Sequence, residues 1–174
     1  YAAGENKLKS VHSGQLMKPG AKLALVFSGN GSQWQGMGQV LLEQSAEFRV
    51  AVEEVDALLS AYTDYSLLDE FVASEQDSRL HLTEVAQPML FAFQVGTVRV
   101  LEQMGLRPVA VTGHSVGEVA AAWACGALTL EQAVQVIYER SHAQAKTAGQ
   151  GRMAAVALGV EAVTAKLTEL GLEN

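Results

Sequence analysis

An α/β fold with a parallel sheet and a nucleophile elbow is predicted by three features of the sequence. The run Val109-Ala110-Val111-Thr112 is apolar and β-branched, as a buried strand is, and the alanine-rich run Val119 to Ala127 reads as a helix packed close to a neighbour. Between them stands Gly113-His114-Ser115-Val116-Gly117, which places Ser115 on the turn from strand to helix. A second apolar run, Ala21 to Phe27, likewise passes through a glycine-rich loop into a helical pattern.

Composition bounds what such a chain can do. With 174 residues, 49% hydrophobic and 18% charged, it is sized for one domain or a little more and can bury a core. A net charge of −7 leaves no basic stripe to neutralise phosphates, which argues against a nucleic-acid partner. The single cysteine, Cys125, excludes an internal disulfide framework and is expected to pack within the alanine-rich helix. The apolar runs are too short and too broken by glycine to span a bilayer, and no apolar signal segment opens the chain. A cytoplasmic setting without membrane contact is the expectation.

In chain order, residues 1–20 hold glycines, serines and lysines without apolar periodicity, and read as an interdomain linker. The start at Tyr1, without a methionine, suggests that something was cut away or precedes it. After the strand ending at Phe27, four glycines fall within the eleven residues Ser28 to Gly38, making a loop with exposed backbone. A phosphate cradle is refused there, because neither a P-loop Lys-Ser/Thr nor dinucleotide glycine spacing is present. Supplying a second oxyanion donor to Ser115 is the better use, and a plain glycine loop is the alternative.

Apolar residues Leu41, Phe48, Val52, Val55 and Leu59 recur at helical spacing and predict one helix from Val40 to Leu59. A short helix over Leu67 to Val72 follows, and then a polar loop from Ala73 to Arg79, with His81 beyond it read as solvated. A helix announced at Leu82 to Pro88 carries Leu90, Phe91, Val95, Val98 and Leu101 to Gly105, with Pro88 expected in its first turn. Past the elbow helix, Thr129-Leu130-Glu131-Gln132 resembles a capping box and opens a helix through Lys146. Arg140 falls on its apolar stripe, where it either snorkels to solvent or offers a planar fork to a carboxylate. Gly149 to Arg152 break the pattern, Met153 to Leu158 read as a strand, and Val160 to Leu170 as a helix closing at Gly171. The domain plan is therefore a core over 21–148 and the beginning of a second subdomain over 149–174.

The elbow has its own chemical logic. A serine hydroxyl becomes a useful nucleophile when it is held on an exposed turn near a base, and glycines at 113 and 117 give the turn its room. The helix that follows aims free N–H groups and its positive end at the reacting centre, with Val116 N–H as one oxyanion donor. Alone, the motif is equally a Gly/Ser turn of any α/β protein.

Five motifs together carry a resemblance. Val26 to Gly38, Thr83 to Pro88, Gly113 to Glu118, Tyr138-Glu139-Arg140 and Gly149 to Val156 resemble, in order and spacing, the malonyl-CoA:acyl carrier protein transacylases. The likeness is strongest to acyltransferase domains of modular polyketide synthases and type I fatty acid synthases. It implies an α/β-hydrolase-like core, and a ferredoxin-like α+β small subdomain of which residues 149–174 are an incomplete start.

The resemblance also implies roles. Ser115 would take an acyl group from a coenzyme A thioester and pass it to the phosphopantetheine thiol of an acyl carrier protein. Arg140 would hold the free carboxylate of a malonyl-type substrate. Asn30, where the family usually has glutamine, would donate its backbone N–H to the oxyanion beside Val116. Gln87 and His114 would be pocket neighbours, His114 being too close to the nucleophile along the chain to act as its base. No metal and no bound cofactor are implied, and a ketosynthase is the expected adjacent domain. Val116 after the serine and Thr83 to Gln87 resemble malonyl-selective domains, whereas Val85 departs from the aromatic often found there; malonyl is expected over methylmalonyl. The family's general-base histidine has no counterpart in these 174 residues, His142 matching nothing, so the chain reads as the N-terminal portion of such a domain. A serine hydrolase acting on acyl-CoA and a non-catalytic docking fragment are the rival readings.

Overall fold

The computed structural model describes residues 22–151 and 156–172. Two strands, β1 (Ala24–Phe27) and β2 (Ala110–Gly113), pair in parallel with Ala24 opposite Ala110 and Phe27 opposite Gly113. Because the register is flush, the loop after β1 and the elbow after β2 leave the sheet side by side. In α/β folds this carboxyl end of the strands is where ligands bind.

The helices are α1 (Gln39–Gln44), α2 (Ala46–Leu59), α3 (Leu67–Val72), α4 (Thr83–Gln103), α5 (Gly117–Ala124), α6 (Leu130–Ala145) and α7 (Val160–Leu170). The core forms where α2, α4 and α6 pack: Phe48, Val52, Val55 and Leu59 meet Met89, Phe91 and Val95 of α4 and Ala133, Val134 and Ile137 of α6. Nearly every turn of α4 is buried, so this helix forms the spine on which the site residues of α4 and α6 are mounted.

The single helix expected from Val40 to Leu59 is two. Ser45 takes extended backbone angles, and its N–H donates to Leu41 O while its hydroxyl accepts from Phe48 N–H at 3.2 Å. One serine thus ends α1 and caps α2, satisfying orphan backbone groups of both.

Pro88 lies in the second turn of α4, not the first. Having no N–H, it cannot donate to the carbonyl of Glu84, four residues back. The Tyr65 hydroxyl donates to that carbonyl instead, at 2.8 Å. Burial pushes the Tyr65 hydroxyl well above the ordinary tyrosine range, which keeps it a donor. The capping box that opens α6 forms as expected: Thr129 Oγ1 accepts from Gln132 N–H, and Gln132 Oε1 accepts from Thr129 N–H.

Other expectations are corrected. Among the described residues the strands, expected to be buried, are covered on one face only: Phe27 is inside, while Val26 is 75% exposed. Cys125, expected to pack, is exposed at the end of α5, where the helix stops, and its Sγ–H donates to Ala122 O at 3.4 Å. Residues 1–20 lie outside the described residues. So do Met153 to Ala155 of the expected strand, while Val156 to Leu158 adopt no strand. Helix α7 forms at its expected bounds, closed by Gly171 at φ 65°, and buries none of its residues against the described chain. Among the described residues no helix is long and apolar enough to cross a membrane.

Candidate active site

Ser115 has φ 55°, and it is the one non-glycine residue at positive φ among those described. An L-residue in this region is strained by about 1–3 kcal/mol, so the surroundings must hold it there. Backbone bonds do so on both sides. His114 N–H donates to Phe27 O at 2.9 Å, extending the sheet to the elbow, and Gly117 and Glu118 N–H donate to His114 O and Ser115 O at 3.0 Å each.

The flanking glycines are demanded by close approach. A Cβ on Gly113 would stand 2.2 Å from the Gly117 carbonyl group, and one on Gly117 would stand 2.4 Å from Phe27 O. The sharp reversal therefore needs both positions bare. It also draws the loop after β1 against the elbow: a Cβ on Gly29 would lie 2.7 Å from His114 O and 3.1 Å from Ser115 Cβ. Asn30 is the next residue of that loop. The loop is braced from within by Ser32 Oγ, which donates to Gly29 O at 2.8 Å. From outside, buried Gln94 of α4 donates to Ser28 O at 2.8 Å. The N–H groups of Asn30 and Val116 meet no acceptor among the described residues.

Opposite the elbow, α6 delivers Arg140. Its Nη2 donates to Ser115 Oγ at 3.0 Å, and its Nη1 donates to Gln87 Oε1 and, at 3.3 Å, to Gln144 Oε1. Gln87 is fully buried on α4, and its Nε2 donates to Gln144 Oε1 at 2.7 Å. Among the described residues Arg140 forms no ion pair. A half-buried cation is thus held beside a strained serine by neutral oxygens alone. Such a cation recruits an anion, and its planar fork suits a carboxylate.

Ser115, Arg140 and Gln87 are therefore brought together, with Val116 and the Asn30 loop adjoining. His114 has an exposed side chain, and its ring nitrogen Nδ1 faces Gly29 rather than the serine hydroxyl. His142 is committed elsewhere: Nδ1 lies 3.0 Å from Tyr138 O, and its ring packs 4.1 Å from that of Tyr138. His81 is exposed beside a cavity of about 630 Å³ that Thr83 and Gln144 also line. No histidine among the described residues hydrogen-bonds to Ser115 Oγ. Val116, cited above for acyl selectivity, has its side chain in the core at 1% exposure, and Val85 is buried as well. Gln144 was missed by sequence reasoning; the one signal for it is its place four residues after Arg140, on the same helix face.

The acyl transferase domain family matches residues 24–170, nearly the whole described chain. The chain belongs to this family. As an acyltransferase domain it is 41% identical over 167 residues to the pikromycin polyketide synthase component PikAII of Streptomyces venezuelae, a match covering 95% of this chain and 4% of that protein. Its fold is similar to a loading acyltransferase from the avermectin modular polyketide synthase, with TM-score 0.78 and 35% identity over 87% of this chain and 48% of that one. It is also similar to the malonyl-CoA:ACP transacylase of Synechocystis sp. PCC 6803, with TM-score 0.65 and 31% identity over 74% of this chain and 42% of that one. The chain thus spans less than half of these solved structures and a small fraction of the synthase. The two-stranded parallel sheet with its helices agrees with an α/β acyltransferase core.

Proposed function

We propose that this acyltransferase domain contributes the nucleophile and the carboxylate clamp for moving a malonyl-type acyl group from coenzyme A to a carrier-protein phosphopantetheine thiol. The observation that carries the reading is Arg140, uncompensated by any carboxylate among the described residues and donating to Ser115 Oγ. A hydrolase for neutral acyl groups has no use for a cation there. An acyl group ending in a carboxylate does, because the cation fixes its far end while the serine attacks its thioester carbonyl.

In the first half-reaction, Ser115 Oγ bonds to the thioester carbon, the C–S bond breaks, and the serine proton leaves through a base to the departing sulfur. The tetrahedral oxyanion is received by the N–H groups of Val116 and Asn30, which have no acceptor of their own among the described residues. In the second, the carrier thiol attacks the seryl ester, the C–O bond to Ser115 breaks as the new C–S bond forms, and the thiol proton passes through the base to Ser115 Oγ. Arg140 is permanently protonated and cannot be the base. That role falls to a group other than the described residues that bond to Ser115. Within malonyl-type acyl groups the reading favours malonyl over methylmalonyl, on the pattern of Thr83 to Gln87 and Val116. A neighbouring ketosynthase and a cytoplasmic setting accompany it.

The test is incubation of the intact protein with labelled malonyl-CoA, followed by peptide mass spectrometry. Label on Ser115, discharged by a carrier protein bearing phosphopantetheine and reduced in Arg140→Ala, is expected. Label elsewhere, or release to water in preference to the carrier, would sink the reading.

A further inference from the structure

Gln144 has no role in anything derived so far, yet it closes the hydrogen-bond circuit around Arg140. The circuit is constrained by donor and acceptor count. Arginine only donates, so buried Gln87 must turn Oε1 toward Arg140, and its Nε2 must then find an acceptor elsewhere. Gln144 Oε1 is that acceptor, at 2.7 Å, and the same oxygen also accepts from Arg140 Nη1 at 3.3 Å. Nη1 is thereby engaged by two amide oxygens. One Nη2 hydrogen goes to Ser115 Oγ. What remains is Nε–H, which meets no acceptor among the described residues, together with one Nη2 hydrogen.

We infer that Gln144 is a positioning residue that reserves the remaining donors of Arg140 for the substrate carboxylate while leaving the arginine charge unneutralised. The inference rests on the carboxylate-clamp reading above and deepens it. Two properties of glutamine matter. Its amide oxygen accepts from two donors at once, which locks the orientation of Gln87 and, through it, of Arg140. Its neutrality leaves the full positive charge to the incoming acid. A glutamate here would accept the same hydrogen bonds and place a permanent anion on the clamp; a methionine would fill the space without accepting either bond. Gln144 is exposed and lines the cavity of about 630 Å³, so side chains of similar size fit without disturbing the core.

The experiment compares transfer by the intact protein to a carrier protein bearing phosphopantetheine from malonyl-CoA and from acetyl-CoA, which differ by the carboxylate. Wild type, Gln144→Met, Gln144→Glu and Arg140→Ala are measured for kcat and KM with each. The expected result is a fall of about tenfold in the malonyl-to-acetyl ratio of kcat/KM for Gln144→Met, a tenfold change being one lost interaction of ordinary strength. It should appear mainly in KM for malonyl-CoA. Gln144→Glu should fall further, because its charge competes with the substrate. A merely structural role would lower both substrates together and leave the ratio where it was; that outcome, or a Gln144→Glu ratio equal to wild type, overturns the inference. If Arg140→Ala lowers the ratio and the Gln144 variants do not, the clamp stands and only the role of Gln144 falls. If Arg140→Ala leaves the ratio intact, the clamp falls and the inference with it.

Discussion

Arg140 Nη2 lies 3.0 Å from Ser115 Oγ, so a permanent cation on α6 donates to the hydroxyl that the elbow after β2 presents. The two residues are 25 positions apart, and α4 is the element that holds α6 at the distance required. Arg140→Ala removes a charge-assisted hydrogen bond and the anchor for a carboxylate. Bonds to charged groups contribute about 1.5–3 kcal/mol, so kcat/KM for malonyl-CoA should fall roughly ten- to a hundredfold. Arg140→Lys should recover little of it, since a single ammonium cannot serve Gln87, Gln144 and Ser115 at once. Steady-state kinetics on the intact protein check this; full activity in the lysine variant would refute the planar clamp.

Gly29 is the contact between the loop and the elbow. A methyl group there meets His114 O at 2.7 Å and the His114 ring at 2.8 Å, and the first of these is backbone that cannot turn aside. Gly29→Ala should push the loop, and the Asn30 N–H with it, away from the reacting centre. Loss of one oxyanion donor is worth about a hundred- to a thousandfold in kcat, which sets the ceiling of the effect. The expected signature is a fall in kcat with KM for malonyl-CoA nearly constant. A change confined to KM would mean that the loop serves binding and not the oxyanion.

What could be read from the sequence was local, and what could not be read was relational. The elbow was legible because its strand, turn and helix are contiguous and the steric demand at Gly113 comes from Gly117 and Glu118, although the demand at Gly117 comes from Phe27 and Ser28 of the other strand. The cap at Thr129 was legible for the same reason. The break at Ser45 was not, because Leu41 and Phe48 are seven residues apart and stay on one apolar face across it. Spacing left Arg140 open between solvent and substrate, since its partners Gln87 and Ser115 are 53 and 25 residues away. Gln144 was invisible because its meaning lies in Gln87, 57 residues distant. The one-sided cover of the strands is likewise a property of packing, and an apolar run cannot say how many of its faces are covered.

Gln94 carries a cost that its neighbours do not. It is 6% exposed, its Nε2 holds Ser28 O, and its Oε1 is the one buried side-chain polar atom without a partner among the described residues. An unmatched buried acceptor costs about 1–3 kcal/mol, close to what the other end of the amide regains. Gln94→Met should therefore leave stability within about 1 kcal/mol of wild type, an expectation read from denaturant midpoints. The Ser28–Gly29 peptide it braces should loosen, lowering kcat. Intact kcat in a stable Gln94→Met protein would show that the internal bond from Ser32 holds the loop without it.

Tyr65 and Pro88 are coupled through a third group, the carbonyl of Glu84. Proline removes the helical donor to that carbonyl, and the Tyr65 hydroxyl replaces it at 2.8 Å. Tyr65→Phe should destabilise by about 1 kcal/mol, the net value of a typical hydrogen bond. In a Pro88→Ala background the backbone N–H at 88 can reach Glu84 O, so the same change should cost less, and a double-mutant cycle should return a coupling of about 0.5–1 kcal/mol. The pH dependence has a definite sign. Burial raises the Tyr65 pKa in the folded state, so above the ordinary tyrosine value near 10 the unfolded chain loses a proton that the folded chain keeps. The stabilisation is whole below that pH and is lost as pH climbs toward the folded value. Urea unfolding from pH 8 to 11 should show an alkaline decline in wild type that is shallower in Tyr65→Phe; parallel curves would place the decline on other groups.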